Sequence, residues 1–169
     1  MNKKIALTLA VSLVSAMPSK IVAQDFASKQ EWYDAFMEAE YEKDTMYYIM
    51  DTINKKYNKN VVYMTPVQFE VSYYTDLNSE NGFGPVNCLG EKLQDGMVAN
   101  NVLELGTQIY IPELGLKTVA DRGSAKYFSE MEAIDVFVPR QSGESDAQYK
   151  KRVNNLGRHI IKGYILKEK

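Results

Sequence analysis

The chain has 169 residues, of which 45% are hydrophobic and 25% are charged, and its formal net charge is −2. This length and apolar content are typical of one folded domain and argue against wholesale disorder. The basic residues are scattered among the acids and form no basic stripe, which argues against nucleic acid as a partner.

The first 23 residues have the pattern of a secretory signal peptide. Lys3 and Lys4 precede an apolar run over residues 5–14, and small residues lead to a cleavage position after Ala23. An uncleaved anchor is the alternative, but the run is about half of the ~20 residues that a spanning helix requires. We therefore predict a secreted or cell-wall-associated protein without a membrane segment after cleavage. The net charge then becomes −5, because three lysines and no acid are removed.

Residues 24–60 are predicted to form a helical N-terminal segment. Neither proline nor glycine occurs between residues 25 and 57, and apolar residues recur at helical spacing, which favours one long or two short helices. The aromatic and methionine residues among them are typical of a packing face. This face also leaves open a protein partner that binds through the helix.

Residues 61–169 are predicted to form a β domain. Strand patterns occur at residues 61–64, 67–74, 97–99, 107–111, 116–120 and 133–138, and a last strand in the apolar run at 159–166. Residues 75–96 form a loop rich in turn formers, and a loop of this length is usually functional or mobile. Ser145 and Gln148 form a capping box that opens a helix ending near Asn155. Six or more short strands with one inserted helix predict a mainly β fold built on a small closed barrel.

Two of the predicted strands each carry an aspartate. Asp121 ends one strand and Asp135 lies inside the next. Acids are seldom buried without a partner, so two of them on neighbouring strands predict a cleft with carboxylates at its floor, which is the geometry that glycan-cleaving enzymes need. The alternative is a structural role in which Arg122, Lys126 or backbone amides satisfy both acids.

Cys88 is the only cysteine and His159 the only histidine, so no internal disulfide can form. Their wide separation in sequence argues against a Cys–His nucleophile. One residue of each type is also too few for the common zinc sites, so we predict no metal.

An ordered series of segments resembles the 3D domain, a family named for three aspartates. The series comprises Val71-Ser72-Tyr73-Tyr74-Thr75, Gly96-Met97-Val98-Ala99, Leu105-Gly106-Thr107-Gln108-Ile109-Tyr110-Ile111-Pro112, Gly115, Val119-Ala120-Asp121-Arg122-Gly123 and Ile134-Asp135-Val136-Phe137. The resemblance covers about residues 67–166. It implies a six-stranded double-psi β barrel and an activity similar to that of MltA-type lytic transglycosylases, which cleave peptidoglycan between N-acetylmuramic acid and N-acetylglucosamine. It implies no cofactor.

The resemblance also assigns roles to residues. Asp135 matches the aspartate that looks like the catalytic acid, and Asp121 matches the aspartate that precedes a near-invariant glycine. Where the remaining family aspartate is expected, this chain has Asn100 and Asn101, which can hydrogen-bond sugar but cannot exchange a proton at neutral pH. Independently of the resemblance, Glu80 in the long loop is a second possible proton donor. The predicted substrate contacts are Tyr74, Thr75, Glu80, Asn100, Asn101, Arg122, Gly123 and Ser124.

Peptidoglycan glycan strands are therefore the predicted substrate, and other classes of function stay open. An expansin-like module would bind wall glycan without cutting it, with aromatic side chains stacked on the sugars. A structural or interaction protein would act through the N-terminal helix. A hydrolase with the same barrel would also use a carboxylic acid and would differ in admitting water.

Overall fold

The computed structural model describes residues 29–169. In chain order its elements are α1 (Lys29–Tyr57), β1 (Val61–Tyr74), α2 (Asn78–Asn81), β2 (Met97–Ala99), β3 (Gln108–Ile111), β4 (Gly115–Asp121), β5 (Ala133–Phe137), α3 (Asp146–Asn154) and β6 (His159–Glu168). The predicted signal peptide, residues 1–23, lies outside the described residues, as does the start of the predicted helical segment.

The predicted N-terminal helix is one long helix, α1. Without proline or glycine, its backbone hydrogen bonds continue unbroken. The helix ends before Asn58, whose φ of 50° lies in the left-handed region that asparagine tolerates. The chain divides into two compact units between Thr52 and Ile53, and Ile53 is fully buried within the second unit. No helix among the described residues is both long and apolar enough to cross a membrane.

The six strands close into one barrel, in the order β1-β5-β2-β4-β3-β6. The pairs β1/β5 and β2/β4 are parallel, and the other four neighbouring pairs are antiparallel. The prediction of a mainly β fold with a closed six-stranded barrel is therefore confirmed. Strands that are neighbours in the barrel are mostly not neighbours in the sequence, so residues from distant segments meet on its surface.

The core is the interior of this barrel. Alternate residues of the strands fill it, and Val71, Val98, Ile109, Val119 and Ile134 are fully buried there. Burial of one such side chain contributes roughly 1.5–3 kcal/mol relative to its exposure. Because successive side chains of a strand alternate between faces, the residues between these positions are directed to the outside of the barrel.

Two local features differ from the sequence-based expectation. β1 is one 14-residue strand that continues through Pro66, where two strands were predicted. Proline is tolerated there because residues 61–69 pair only with β6, while pairing with β5 begins at Glu70. In the long loop, residues 78–81 form the short helix α2, which ends at Gly82 with a φ of 77°.

Gly163 in β6 permits a close approach of strands that no larger residue would allow. A Cβ atom at this position would lie 2.9 Å from both Ile111 Cγ1 and Phe69 Cδ2, and 3.0 Å from the carbonyl oxygen of Tyr110. Gly163→Ala is therefore expected to lower the free energy of unfolding by about 2–3 kcal/mol through overpacking. Urea denaturation would measure this, with the exposed neighbour Lys162→Ala as the control. Equal stability of the two variants would contradict the prediction.

Candidate active site

The two predicted catalytic aspartates lie in one row of residues that crosses four neighbouring strands. Ala99 of β2 is paired with Asp121 of β4 on one side and with Asp135 of β5 on the other, and Asp135 is paired in turn with Ser72 of β1. We call these four residues the carboxylate row. Neighbouring residues of a sheet share a face, so the row lies on the outside of the barrel, with its two aspartates two strands, or roughly 10 Å, apart.

A β-bulge places Asp121 in the carboxylate row. Val98 pairs with Val119, but the next residue, Ala99, pairs with Asp121, so Ala120 is the extra residue in β4. In a regular ladder Ala99 would be opposite Ala120, and Asp121 would share the inward face of Val119. The bulge thus directs the acid to the outer face.

Asp135 is hydrogen-bonded to Ser72, and its pKa is raised. Its Oδ1 accepts a hydrogen bond of 2.8 Å from Ser72 Oγ. Burial is the main cause that raises the pKa of Asp135, from its ordinary value of 3.8 to about 6. The charges of Asp121 and Glu80 also raise it, whereas the Ser72 hydrogen bond and Arg158 lower it. Asp135 is therefore largely protonated in mildly acidic solution, which is the state that a general acid needs.

Asp121 is held rigidly by three hydrogen-bond donors. Only 8% of this residue is exposed. Its Oδ1 accepts from the backbone N–H groups of Cys88 and Arg122, both at 2.8 Å, and its Oδ2 accepts from the Tyr74 hydroxyl at 3.0 Å. Because these donors fix both oxygens, the carboxyl group of Asp121 suits electrostatic stabilisation better than proton transfer.

Tyr74 connects β1 to Asp121 across two intervening strands. Its ring packs beside Phe137 of β5, with 5.6 Å between centroids, and its hydroxyl reaches β4. Ala99 of β2 lies between Asp135 and Asp121 in the carboxylate row, and its side chain is only a methyl group. Burial, followed by the charge of Asp121, raises the pKa of Tyr74, so the phenol stays protonated and donates its hydrogen bond.

Thr75 is hydrogen-bonded to Glu80 and is inaccessible to a ligand. Thr75 is fully buried, and its Oγ1 donates to Glu80 Oε2 at 2.5 Å. The other oxygen of Glu80 pairs with Lys150 Nζ at 3.3 Å. Glu80 is thereby held at a position from which its charge affects Asp135. The structure thus places the charge of Glu80, but not the Thr75 hydroxyl, where it acts on Asp135.

Asn100 is fully buried and supports β5 from inside the protein. Its amide nitrogen donates to the carbonyl oxygens of Met131 and Ala133 at 3.1 and 2.8 Å. Its oxygen accepts from the backbone N–H groups of Val102 and Leu103 at 2.9 and 2.6 Å. The side chain is inaccessible to a ligand, and it fixes the backbone at the start of the strand that carries Asp135.

Hydrogen bonds from the predicted contact residues join the loop after β2 to the loop after β4. Asn101 and Gly123 exchange two hydrogen bonds of 3.0 Å, and the Arg122 guanidinium donates to the carbonyl oxygens of Asn100 and Leu103. Gly123 packs so tightly that a Cβ atom would lie 2.4 Å from Phe128. Ser124 directly follows Gly123, is exposed, and is free to contact a ligand.

Sequence reasoning missed Ser72 and Asn87. Asn87 is only 3% exposed, and its side chain donates to the carbonyl oxygen of Ala120 at 2.9 Å, which aims the Cys88 N–H at Asp121. In the sequence it is indistinguishable from other turn-forming asparagines in the loop. Ser72 carried a detectable signal, because it lies two residues before Tyr74 and therefore on the same face of β1.

The described residues contain no group of three or more His, Cys, Asp or Glu side chains that could hold a metal ion. The sulfur of Cys88 lies near the carbonyl oxygen of Ala120, and the ring of His159 hydrogen-bonds to the carbonyl of Leu156. Neither side chain is placed to activate the other. Burial raises the pKa of the Cys88 thiol, which makes Cys88 a weaker nucleophile at neutral pH.

No protein-family model matches the chain, and no curated protein matches it. The assignment of a function therefore depends on the geometry of the carboxylate row and on the sequence pattern.

Proposed function

We propose that the protein is a secreted enzyme that cleaves peptidoglycan glycan strands as a lytic transglycosylase of the 3D-domain type. The observation that carries this proposal is Asp135, an outward-facing but largely covered carboxyl group with a pKa of about 6 and a second carboxyl group in the same row. The N-terminal sequence pattern of a signal peptide supports export to the wall, where the substrate is found.

We also propose that the barrel has the double-psi topology of that family. Two parallel strand pairs, β1/β5 and β2/β4, occur in an otherwise antiparallel six-stranded barrel. Each pair joins a strand from the first half of the domain to a later one by a crossover connection. This arrangement supports the double-psi topology.

In the proposed mechanism Asp135 transfers one proton twice. The protonated carboxyl group of Asp135 donates its proton to the glycosidic oxygen of the leaving N-acetylglucosamine as the bond to the muramyl C1 breaks. The C6 hydroxyl oxygen of the same muramyl residue then bonds to C1, and its proton returns to Asp135. The product is a 1,6-anhydro sugar, and no water is consumed. A pKa near the working pH lets one group serve as acid and then as base.

Asp121 would stabilise the positive charge that develops at C1 in the oxocarbenium-like transition state. Its carboxyl group is fixed by Tyr74, Cys88 and Arg122, so little reorganisation is needed during the reaction. Glu80 contributes a further negative charge that acts on Asp135. Ser124 is exposed and Asn101 is partly exposed, and these two polar side chains would contact the sugars at the end of β4.

Mass spectrometry of the soluble products tests the proposed function. The mature protein, residues 24–169, is incubated with purified peptidoglycan, and anhydro-muropeptides are expected. Products with reducing ends would identify a hydrolase. Retention on the wall without soluble products would favour a glycan-binding module, for which the exposed aromatic residues Phe83 and Tyr127 provide stacking surfaces. Absence of both release and retention would contradict the proposal and its glycan-binding alternative.

The pH dependence of the reaction follows from Asp135. Because catalysis starts from the protonated acid, kcat/KM should be constant below pH 6 and fall about tenfold per pH unit above it. Ser72→Ala removes a hydrogen bond that lowers this pKa, so the falling limb should move to higher pH. Rates of glycan release between pH 4.5 and 8.5 would show both effects. A rate that rises through pH 6 would be incompatible with Asp135 as the initial acid.

A further inference from the structure

On the side of Ser72 that faces away from Asp135, the carboxylate row leads to Arg158, next to β6. In the antiparallel pairing of β1 with β6, Glu70 is opposite Ile160 and Val71 is opposite His159. Arg158 directly precedes β6, so the same register places it beside Ser72. Ser72 is also the partner of Asp135 on the other side of β1. Arg158 therefore lies two strands from Asp135, roughly 10 Å between Cα atoms, and its long side chain shortens that gap.

Arg158 forms an exposed ion pair with Glu70, and a carboxylate of a ligand can replace Glu70 in that pair. Its Nη1 lies 2.7 Å from Glu70 Oε1, and the side chains of Arg158 and Glu70 are 57% and 48% exposed. Glu70 precedes Ser72 by two residues, so it occupies the same outer face of β1. An exposed ion pair of this kind contributes only about 0–1 kcal/mol. Arg158 can therefore exchange the carboxylate of Glu70 for that of a ligand at little cost.

The other cations near the site are engaged in structural contacts. Arg122 donates to two backbone carbonyl oxygens, and Lys150 is paired with Glu80. Arg158 is the cation whose charge lowers the pKa of Asp135, against the larger effect of burial. Without it, the charged groups that act on Asp135 would be the acids Asp121 and Glu80, which would repel an anionic substrate.

We infer that Arg158 forms a subsite for a carboxylate of the substrate, on the side of Asp135 opposite to Asp121. The inference rests on the proposed function and narrows its substrate class to glycan strands in which an N-acetylmuramic acid lacks its stem peptide, because only there is the lactyl carboxyl group a free carboxylate and not an amide. The planar guanidinium binds a carboxylate through two parallel N–H···O bonds. Arg158 thereby selects the strand and positions it, while Asp135 carries out the chemistry.

Equilibrium binding of two matched ligands tests the subsite. The probes are a peptide-free tetrasaccharide of alternating N-acetylglucosamine and N-acetylmuramic acid, and the same tetrasaccharide with its lactyl carboxylates converted to amides. Isothermal titration calorimetry is performed on mature Asp135→Asn protein, so that no probe is cleaved. This protein should bind the acidic probe about tenfold more tightly than the amide, which corresponds to one charge-assisted contact. In 0.5 M NaCl the preference should shrink.

Adding Arg158→Gln to this protein should abolish the preference without weakening binding of the amide probe. Lys162→Gln, an exposed lysine of β6 with the same change in charge, should keep the preference. An Arg158→Gln variant that retains the tenfold preference, or a parent protein that binds both probes equally, would overturn the inference and leave the proposed function intact. If the parent binds neither probe and the wild type releases no wall fragments, the proposed function fails and the subsite with it.

Discussion

Asp135→Asn should reduce the release of anhydro-muropeptides about 1,000-fold, because loss of a general acid and base costs roughly 100- to 10,000-fold in rate. The variant should nevertheless fold, since the Asn oxygen can still accept the hydrogen bond from Ser72 Oγ. Mass spectrometry of products at pH 5.5 would measure the loss. Asp95→Asn, at a side chain that is 77% exposed, is the matched control and should keep full activity. Comparable release by Asp135→Asn and wild type would exclude the catalytic role.

The same substitution should make the protein more stable at neutral pH. The pKa of Asp135 is about 6 in the folded state, against an ordinary value of 3.8, so the folded state binds the proton more tightly. That contribution to stability is complete below pH 3.8 and is lost as the pH rises through 6. Asparagine has no charge to bury, so the variant should gain about 2–3 kcal/mol at pH 7.5 and nothing at pH 3.5. Urea denaturation at both pH values would measure the difference, and a destabilised variant at pH 7.5 would contradict the raised pKa.

Asn100→Asp should be among the most destabilising single substitutions in the domain. The amide nitrogen of Asn100 donates to the carbonyl oxygens of Met131 and Ala133 in a fully buried position. A carboxylate there would face those oxygens with no proton to share and no solvent. The expected loss is about 3–5 kcal/mol at pH 7, and it should be smaller at pH 4, where a protonated aspartate can donate once.

Thermal or urea unfolding at the two pH values would test this expectation. Asn60→Asp, at an exposed position, is the matched control and should change stability by about 0.5 kcal/mol or less. A fully stable Asn100→Asp protein would show that the backbone around Asn100 can rearrange. The expected loss would show that the packing of this chain disfavours an aspartate at residue 100. The resemblance to the 3D domain predicts an aspartate in this segment, so the chain would differ from the family pattern for a structural reason.

Much of the secondary structure could be predicted from local sequence. The capping box of α3 is confirmed, since Ser145 Oγ accepts from the Gln148 N–H and the Gln148 side chain accepts from the Ser145 N–H. The division of β1 into two strands was wrong, because the tolerance for Pro66 depends on which neighbours the strand has. The bulge at Ala120 also has no local signature, since alanine fits a regular strand equally well.

The candidate site was predictable for its acids and for the residues that the resemblance matched, such as Tyr74, which hydrogen-bonds to Asp121. Asp121 and Asp135 stand out because an acid in an apolar strand needs an explanation. Asn87 and Arg158 become meaningful only when the barrel order places β1 beside β6 and brings the long loop to β4. The sequence places Ser72 on the same face as Tyr74, but its position beside Asp135 depends on the pairing of β1 with β5. Such contacts depend on the register of strands that are distant in sequence, and hydrophobic periodicity does not encode that register.

The bulge in β4 makes the layout of the proposed active site depend on the number of residues in the strand as well as on their identity. With Ala120 present, Asp121 is in line with Ala99 and Asp135; one residue fewer would leave every side chain type in the site unchanged but point the acid into the apolar interior. Insertion or deletion of one residue in this strand therefore decides whether the two carboxyl groups lie on the same outer face or on opposite faces of the sheet. Such a change would create or remove the proposed active site in one evolutionary step.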